Sequence, residues 1–227
     1  MTAPVAAAMV FGERLPLAER FADWLTGPGI TRGLLGPREA DQIWERHLLN
    51  GVDMASLIEP GSVVLDLGSG AGLPGLPLLL ARPDLEMVLV EPRARRIEFL
   101  NEVCADLGLR ARVVRARATP AGLVLLPEGA SHTPIPLADV VTARAVAPIA
   151  ELGRWARPLL RPGGRLLAVK GLSAAAELDR DRWVLNGLGF LNADVLTIPT
   201  PVGVNASPAP PTATVIAMTA GGVSRET

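Results

Sequence analysis

Cysteine is almost absent from this chain of 227 residues: Cys104 is the only one. No internal disulfide can form, and the expectation is a cytosolic protein. Histidine is nearly as scarce. His47 and His132 are the only two, too few for a histidine-rich metal centre, and no metal is expected. Lysine occurs once, at Lys170, so the basic charge is carried by arginine. The bias toward Arg, Ala, Gly and Pro is what GC-rich coding produces and points to no function. Long apolar runs are also missing. Pro, Gly or charge breaks each run within about ten residues, well short of the ~20 needed to cross a bilayer. The apolar stretch Met1 to Val10 has no basic flank, so it does not read as a secretory signal.

What remains is a hydrophobic content of 49% with 20% charged residues, the balance of a globular protein with a sizeable core. The length suits one large α/β domain and is short for two; a monomer is expected. The net charge of −1 is unevenly spread. Residues 1–66 carry 9 acids and 5 arginines; residues 93–117 carry 7 arginines against 3 acids; residues 139–170 carry 6 basic groups against 2 acids. A near-neutral protein can still present a basic face to a polyanion, although arginines that merely solvate helices would give the same counts.

The first 60 residues read as a helical extension. Apolar residues from Leu15 to Leu25 fall at helical spacing, and Gly27-Pro28-Gly29 is expected to stop that helix. Pro37 opens a second helix with Ile43, Trp44, His47 and Leu48 on its apolar face. From residue 62 the pattern changes to short Val- and Leu-rich runs separated by helix and turn signals. Strands are expected at 62–67, 85–91, 111–116, 138–143 and 165–170, then at 189–198 and 212–218. Runs apolar on both faces suit a parallel sheet covered by helices. The link at 199–211 is too short and Pro-rich for a helix, so a hairpin should make the last strand antiparallel. The fold class is therefore α/β: a Rossmann-like, seven-stranded, mostly parallel sheet spanning 61–220, with a short tail at 221–227. Gly122 to Pro136 reads as a surface loop.

The strongest motif, Asp66-Leu67-Gly68-Ser69-Gly70-Ala71-Gly72-Leu73-Pro74-Gly75, follows the first strand directly and opens a helix. Glycines there let a ligand lie against the backbone. Glu91 ends the second strand, 23 residues beyond Gly68, where a carboxylate can accept hydrogen bonds from ribose hydroxyls. A dinucleotide would want G-x-G-x-x-G, but its third glycine falls at Leu73, and Asp66 would repel a pyrophosphate. S-adenosylmethionine carries an ammonium and a sulfonium and no phosphate, and suits an acid at that place. The expected cofactor is S-adenosyl-L-methionine, with Asp66, Gly68, Gly70 and Glu91 as candidate binding residues.

The stretch Asp66 to Pro77, D-L-G-S-G-A-G-L-P-G-L-P, resembles the signature of the bacterial small-subunit ribosomal RNA guanine-N7 methyltransferases (the RsmG or GidB family). Three further segments resemble the family in order: Trp44 to Asn50 (W-E-R-H-L-L-N), Ala143-Arg144-Ala145, and Ala168-Val169-Lys170-Gly171. The likeness spans roughly residues 10–218. It implies methyl transfer from S-adenosylmethionine to N7 of a guanine in 16S RNA, with small-subunit RNA or a ribosomal particle as partner. It implies cofactor contacts at Gly68, Leu73, Ala118, Thr119 and Arg144. Thr119 and Ala143 depart from the family's Glu and Ser, and the basic residues that often end the family's last strand are missing directly after Met218.

Guanine N7 carries no proton, so the implied reaction needs no general base. The sequence agrees, since no Cys–His pair and no Ser–His–Asp set stands out. Arg144, Lys170, His47 and Arg46 are the candidate catalytic or acceptor-site residues. Two basic faces, Arg93, Arg95 and Arg96, and Arg154, Arg157 and Arg161, are candidate RNA contacts. Trp24, Trp44, Trp155 and Trp183 are expected to pack in the core. A methyltransferase acting on a small molecule or protein, a non-catalytic binding protein and a dinucleotide oxidoreductase remain as alternatives.

Overall fold

A computed structural model describes residues 3–127, 134–199 and 212–222. The N-terminal segment is helical but irregular. Helices α1 (Val5–Phe11) and α2 (Leu15–Trp24) are joined by a tight turn, and α2 runs on through a wide turn at Leu25–Gly29 to Thr31. The Gly27-Pro28-Gly29 stop is thus overridden: the wider turn accommodates Pro28, which has no N–H to donate. The expected helix from Pro37 is likewise a succession of turns, tight at Pro37–Gln42, wide at Ile43–Leu49, then α3 (Asn50–Val52) and a tight turn at Asp53–Leu57.

Strand–helix alternation follows: β1 (Val63–Leu67), α4 (Gly75–Ala81), β2 (Glu86–Glu91), α5 (Ala94–Asp106), β3 (Ala111–Thr119), β4 (Gly122–Leu125), β5 (Ala138–Arg144), α6 (Ile149–Ala156), β6 (Leu160–Lys170), α7 (Ala174–Gly187), β7 (Phe190–Pro199) and β8 (Thr212–Ala220). They form one eight-stranded sheet in the order β4-β3-β2-β1-β5-β6-β8-β7. The central pairs are parallel, and β8 lies antiparallel between β6 and β7. The seven expected strands are present. The eighth, β4, corrects the loop expectation at Gly122–Leu125: it turns back onto β3 as an antiparallel hairpin. Residues 128–133 of that expected loop, with His132, and the link 200–211 lie outside the described residues, as does the tail from 223.

The central strands are buried on both faces, which is why they alternate apolar with apolar. Val64, Met87, Leu89, Val140, Leu167 and Val215 face a core formed with the N-terminal helices, α4 and α5. Leu65, Val88, Val90, Val141, Leu166 and Ile216 face the opposite core, closed by α6 and α7. The side-chain period of two therefore splits each strand between two apolar layers. The strand order reverses between β1 and β5. The crevice beyond their carboxyl ends is where open α/β sheets bind ligands.

Candidate functional site

At the end of β1 the chain turns with positive φ at Gly68 (69°), Gly70 (60°) and Gly72 (92°). Side chains rarely adopt such values. The turn is anchored by the Gly68 and Ser69 N–H groups donating to Val90 O, 2.8 and 3.1 Å. A Cβ on Gly68 would lie 2.8 Å from Val146 Cγ2. Glu91, buried at the end of β2, accepts the Gly70 N–H at 3.1 Å and the Arg93 N–H at 3.0 Å, and Arg96 approaches at 3.4 Å. These groups border a cleft of about 440 Å³ whose walls include Gly68, Glu91, Ala116, Ala118, Ala145, Val146 and Trp155. Bare backbone, small alanines, an aromatic edge and a carboxylate fit a nucleoside with a ribose diol, as an adenosyl cofactor presents.

A second cleft, about 630 Å³, opens beyond β5 and β6. It is lined by Glu45, Arg46, His47, Asn50, Arg144, Ala145, Val169, Lys170 and Gly171. Arg144 donates from Nη1 to Arg46 O at 2.9 Å, and its Nη2 lies 2.8 Å from His47 Nδ1. His47 Nε2 lies 2.6 Å from Glu39 Oε2. Burial, aided by the Arg144 charge, pulls the His47 pKa below its usual value against the pull of Glu39. Arg144 is also pulled down by burial, opposed by Asp66 and Glu39. The two clefts share Ala145, whose φ is 53°. A positive φ on alanine costs on the order of 1 kcal/mol and is characteristic of chain held in place at a site.

The sequence-predicted residues sort unevenly between these clefts. Gly68, Glu91 and Ala118 line the first; Arg46, His47, Arg144 and Lys170 line the second. Arg144 therefore lines the second cleft and not the first. Gly70 contributes through its N–H on Glu91. Leu73 is buried in the apolar core and lines neither cleft. Thr119 is absent from both as well: its hydroxyl donates to Gly122 O at 2.9 Å and accepts the Ala121 N–H at 3.2 Å, closing the β3–β4 hairpin. Asp66 lies beneath the loop. Its fully buried carboxylate accepts from Thr142 Oγ1 at 3.0 Å and from the Gly75 N–H at 3.2 Å, and burial pushes its pKa up to about 6.

Lys170 is less available than a strand-end lysine suggests. Its Nζ donates to Ala147 O at 2.9 Å and to Glu177 Oε1 at 2.8 Å, and both side chains are 14% exposed. Glu177 also accepts the Ile149 N–H at 2.7 Å, so the pair clamps the β5–α6 connection against α7. The arginine faces split too. Arg93, Arg95 and Arg154 are exposed, whereas Arg157 is tied to Leu188 O and Gly221 O, Arg161 pairs with Asp139, and Arg96 leans on Glu91. Trp44 is buried, and Trp24 is half-buried, edge-on to Phe99. Trp183 corrects the core expectation, being 86% exposed, and half-buried Trp155 lines the first cleft.

Sequence reasoning missed Glu39, Glu177, Trp155 and the bend at Ala145. Glu39 and His47 are eight residues apart, about 12 Å along a regular α-helix; the tight-then-wide turns bring them together. Among the described residues no group of three His, Cys, Asp or Glu is arranged to hold a metal ion, and no helix is long and apolar enough to cross a membrane.

Comparison with known proteins places this geometry. Residues 14–198 match the family model of rRNA small subunit methyltransferase G. The Ribosomal RNA small subunit methyltransferase G of Mycobacterium marinum is 49% identical over 201 residues, covering 88% of this chain and 84% of the relative. Its counterpart in Mycolicibacterium smegmatis is 49% identical over 193 residues, covering 85% and 79%. Among solved structures, a SAM-dependent O-methyltransferase of Thermotoga maritima superposes with a TM-score of 0.54 at 18% identity, covering 76% of this chain and 65% of its own. That likeness speaks for the fold. The sequence match along most of the chain says more: the protein belongs to the rRNA small subunit methyltransferase G family.

Proposed function

We propose that this protein transfers a methyl group from S-adenosylmethionine to N7 of a guanine in 16S ribosomal RNA, acting in the cytoplasm as a monomer on the RNA or a ribosomal particle. The observation that carries the reading is the pair of clefts that meet at Ala145. One has the walls a nucleoside needs, and the other is rimmed by Arg46, Arg144 and Lys170.

When bound, S-adenosylmethionine supplies an activated sulfonium methyl group. The residues of the first cleft fit it: Gly68 and Ala118 leave room for the nucleoside, and Glu91 offers its carboxylate to the ribose. Gly70 steadies that carboxylate, while Asp66 holds the glycine loop in shape from below. Guanine N7 has an in-plane lone pair and no proton, so no residue has to remove one. The work left to the chain is alignment, which can contribute roughly 7–11 kcal/mol. The guanidinium of Arg144 sits beside Ala145, which the two clefts share, and there it can hold the base or its phosphate; Arg46 lies on the same rim. Exposed Arg93, Arg95 and Arg154 suit the polyanionic backbone on either side.

The test is transfer of radiolabelled methyl groups to small ribosomal subunits from cells lacking the gene, followed by nucleoside identification. Label recovered as 7-methylguanosine in 16S RNA is the expected result. Label on another nucleoside, or on protein, overturns the acceptor assignment.

A further inference from the structure

Arg144 stands at the acceptor cleft, but the groups that hold it come from the N-terminal segment. Its Nη1 is on Arg46 O and its Nη2 on His47 Nδ1. Beyond His47 lies Glu39, which lines neither cleft. We propose that Glu39 is a positioning residue for methyl transfer: its carboxylate fixes the one tautomer of His47 that can anchor Arg144. This rests on the reading of the second cleft as the RNA acceptor site.

The chemistry leaves one arrangement. An arginine guanidinium has five N–H donors and no acceptor. The 2.8 Å contact between Arg144 Nη2 and His47 Nδ1 therefore requires a lone pair on Nδ1. A neutral imidazole with a bare Nδ1 carries its proton on Nε2. That nitrogen lies 2.6 Å from Glu39 Oε2, close enough for a charge-assisted hydrogen bond to the carboxylate. The other tautomer would set the Nδ1 proton against the Arg144 donor and leave Nε2 without a proton to give Glu39. His47 is largely enclosed, its side chain 9% exposed, so water cannot readily replace either partner. Glu39 also lies 3.9 Å from Arg46 Nη1. One carboxylate thus faces the ring from one side while Arg144 faces it from the other, and the guanidinium is held by two of its five donors.

The scarcity of histidine makes the tautomer directly readable. In the full chain, with His132→Ala used to assign the two imidazoles, nitrogen-15 NMR at neutral pH should show His47 protonated on Nε2. Glu39→Leu, which offers no acceptor, should mix the tautomers and slow single-turnover transfer to small ribosomal subunits by at least about tenfold. Glu39→Gln, whose amide oxygen still accepts the Nε2 proton, should stay within a few-fold of the parent. Affinity for S-adenosylhomocysteine should be the same in all three. A His47 protonated on Nδ1 in the parent protein overturns the proposal. So does a Glu39→Leu variant that transfers at the parental rate, or a Glu39→Gln variant as slow as Glu39→Leu. If the parent protein itself transfers nothing to the subunits, the acceptor reading fails, and the NMR measurement still decides the relay.

Discussion

The Thr142 hydroxyl donates to Asp66 Oδ1 at 3.0 Å, a bond that ties β5 to β1 directly beneath the glycine loop, where the two residues are register partners. The second oxygen of Asp66 receives the Gly75 N–H at the start of α4. A Cβ on Gly75 would sit 2.9 Å from that oxygen and 2.6 Å from Leu89, so the helix must enter as glycine.

The position of Asp66 has a consequence for pH. Burial raises its pKa from 3.8 to about 6, so the folded state holds the proton more tightly than the unfolded chain. Below 3.8 both states are protonated and the buried charge costs nothing. Above 6 both are ionised and the cost, about 3 kcal/mol, is complete. Between pH 5 and 8 the difference is about 1.4 kcal/mol. Asp66→Asn should remove this part of the pH dependence, shifting the difference in unfolding free energy between those two pH values by about 1.4 kcal/mol in favour of pH 8. An unchanged gap in denaturant melts contradicts the burial argument.

His47 runs the other way. Its pKa is lowered by burial and by Arg144, so its contribution to stability is complete above the unfolded value of about 6.5 and is lost as pH falls through the folded one. Protonation also removes the lone pair that holds Arg144. The transfer rate should therefore stay level at pH 6.5, where an ordinary imidazole is half charged, and fall only below it. Glu39 opposes the shift, so in Glu39→Leu the acid limb should move to still lower pH. A pH–rate profile centred on 6.5 in both proteins would contradict this.

Gly68→Ala tests the nucleoside cleft. The substitution sets an alanine at φ 69° and drives a methyl within 2.8 Å of Val146. Calorimetric affinity for S-adenosylhomocysteine should fall at least about tenfold, in line with a penalty of 1–3 kcal/mol for strain and overpacking. Full affinity would mean the ligand lies elsewhere.

Lys170→Met should lower stability by about 3 kcal/mol, because Glu177 stays enclosed without its cation. Glu177→Gln keeps an acceptor for the Ile149 N–H, so the double variant should recover at least about 1 kcal/mol of the loss. Additive effects in the cycle would show that the pair does not clamp the connection.

Charge reversal at Arg95, which is exposed and lines neither cleft, should weaken binding to small-subunit RNA. It should also lower the slope of log affinity against log salt by roughly one for each phosphate that is no longer neutralised. S-adenosylhomocysteine affinity should hardly change. A slope equal to that of the parent would remove this face from the RNA.

What the sequence makes legible here is short-range. The glycine loop and Glu91 announce themselves because a tight turn after an apolar strand needs those residue types within a few positions. The strands are readable because burial on both faces leaves only apolar residues. The hairpin strand β4 is not, since four residues inside a Pro- and Gly-rich stretch give no periodicity to detect. Lys170 reads as a free strand end because its partner, Glu177, is brought back by the packing of α7. Trp183 could have been placed correctly. The buried positions of α7, Ala174, Leu178, Asp181 and Leu185, form a stripe at helical spacing that excludes it. Glu39 could not, because its pairing with His47 depends on two irregular turns in succession.

The measurement that tests the central claim most directly is single-turnover methyl transfer to unmethylated small ribosomal subunits by the parent protein and by Arg144→Ala, with S-adenosylhomocysteine affinity measured alongside. The account predicts 7-methylguanosine in 16S RNA with the parent, a loss of at least about a hundredfold in the variant, and nearly equal affinity in the two. Equal transfer rates, or a product other than 7-methylguanosine, would contradict it.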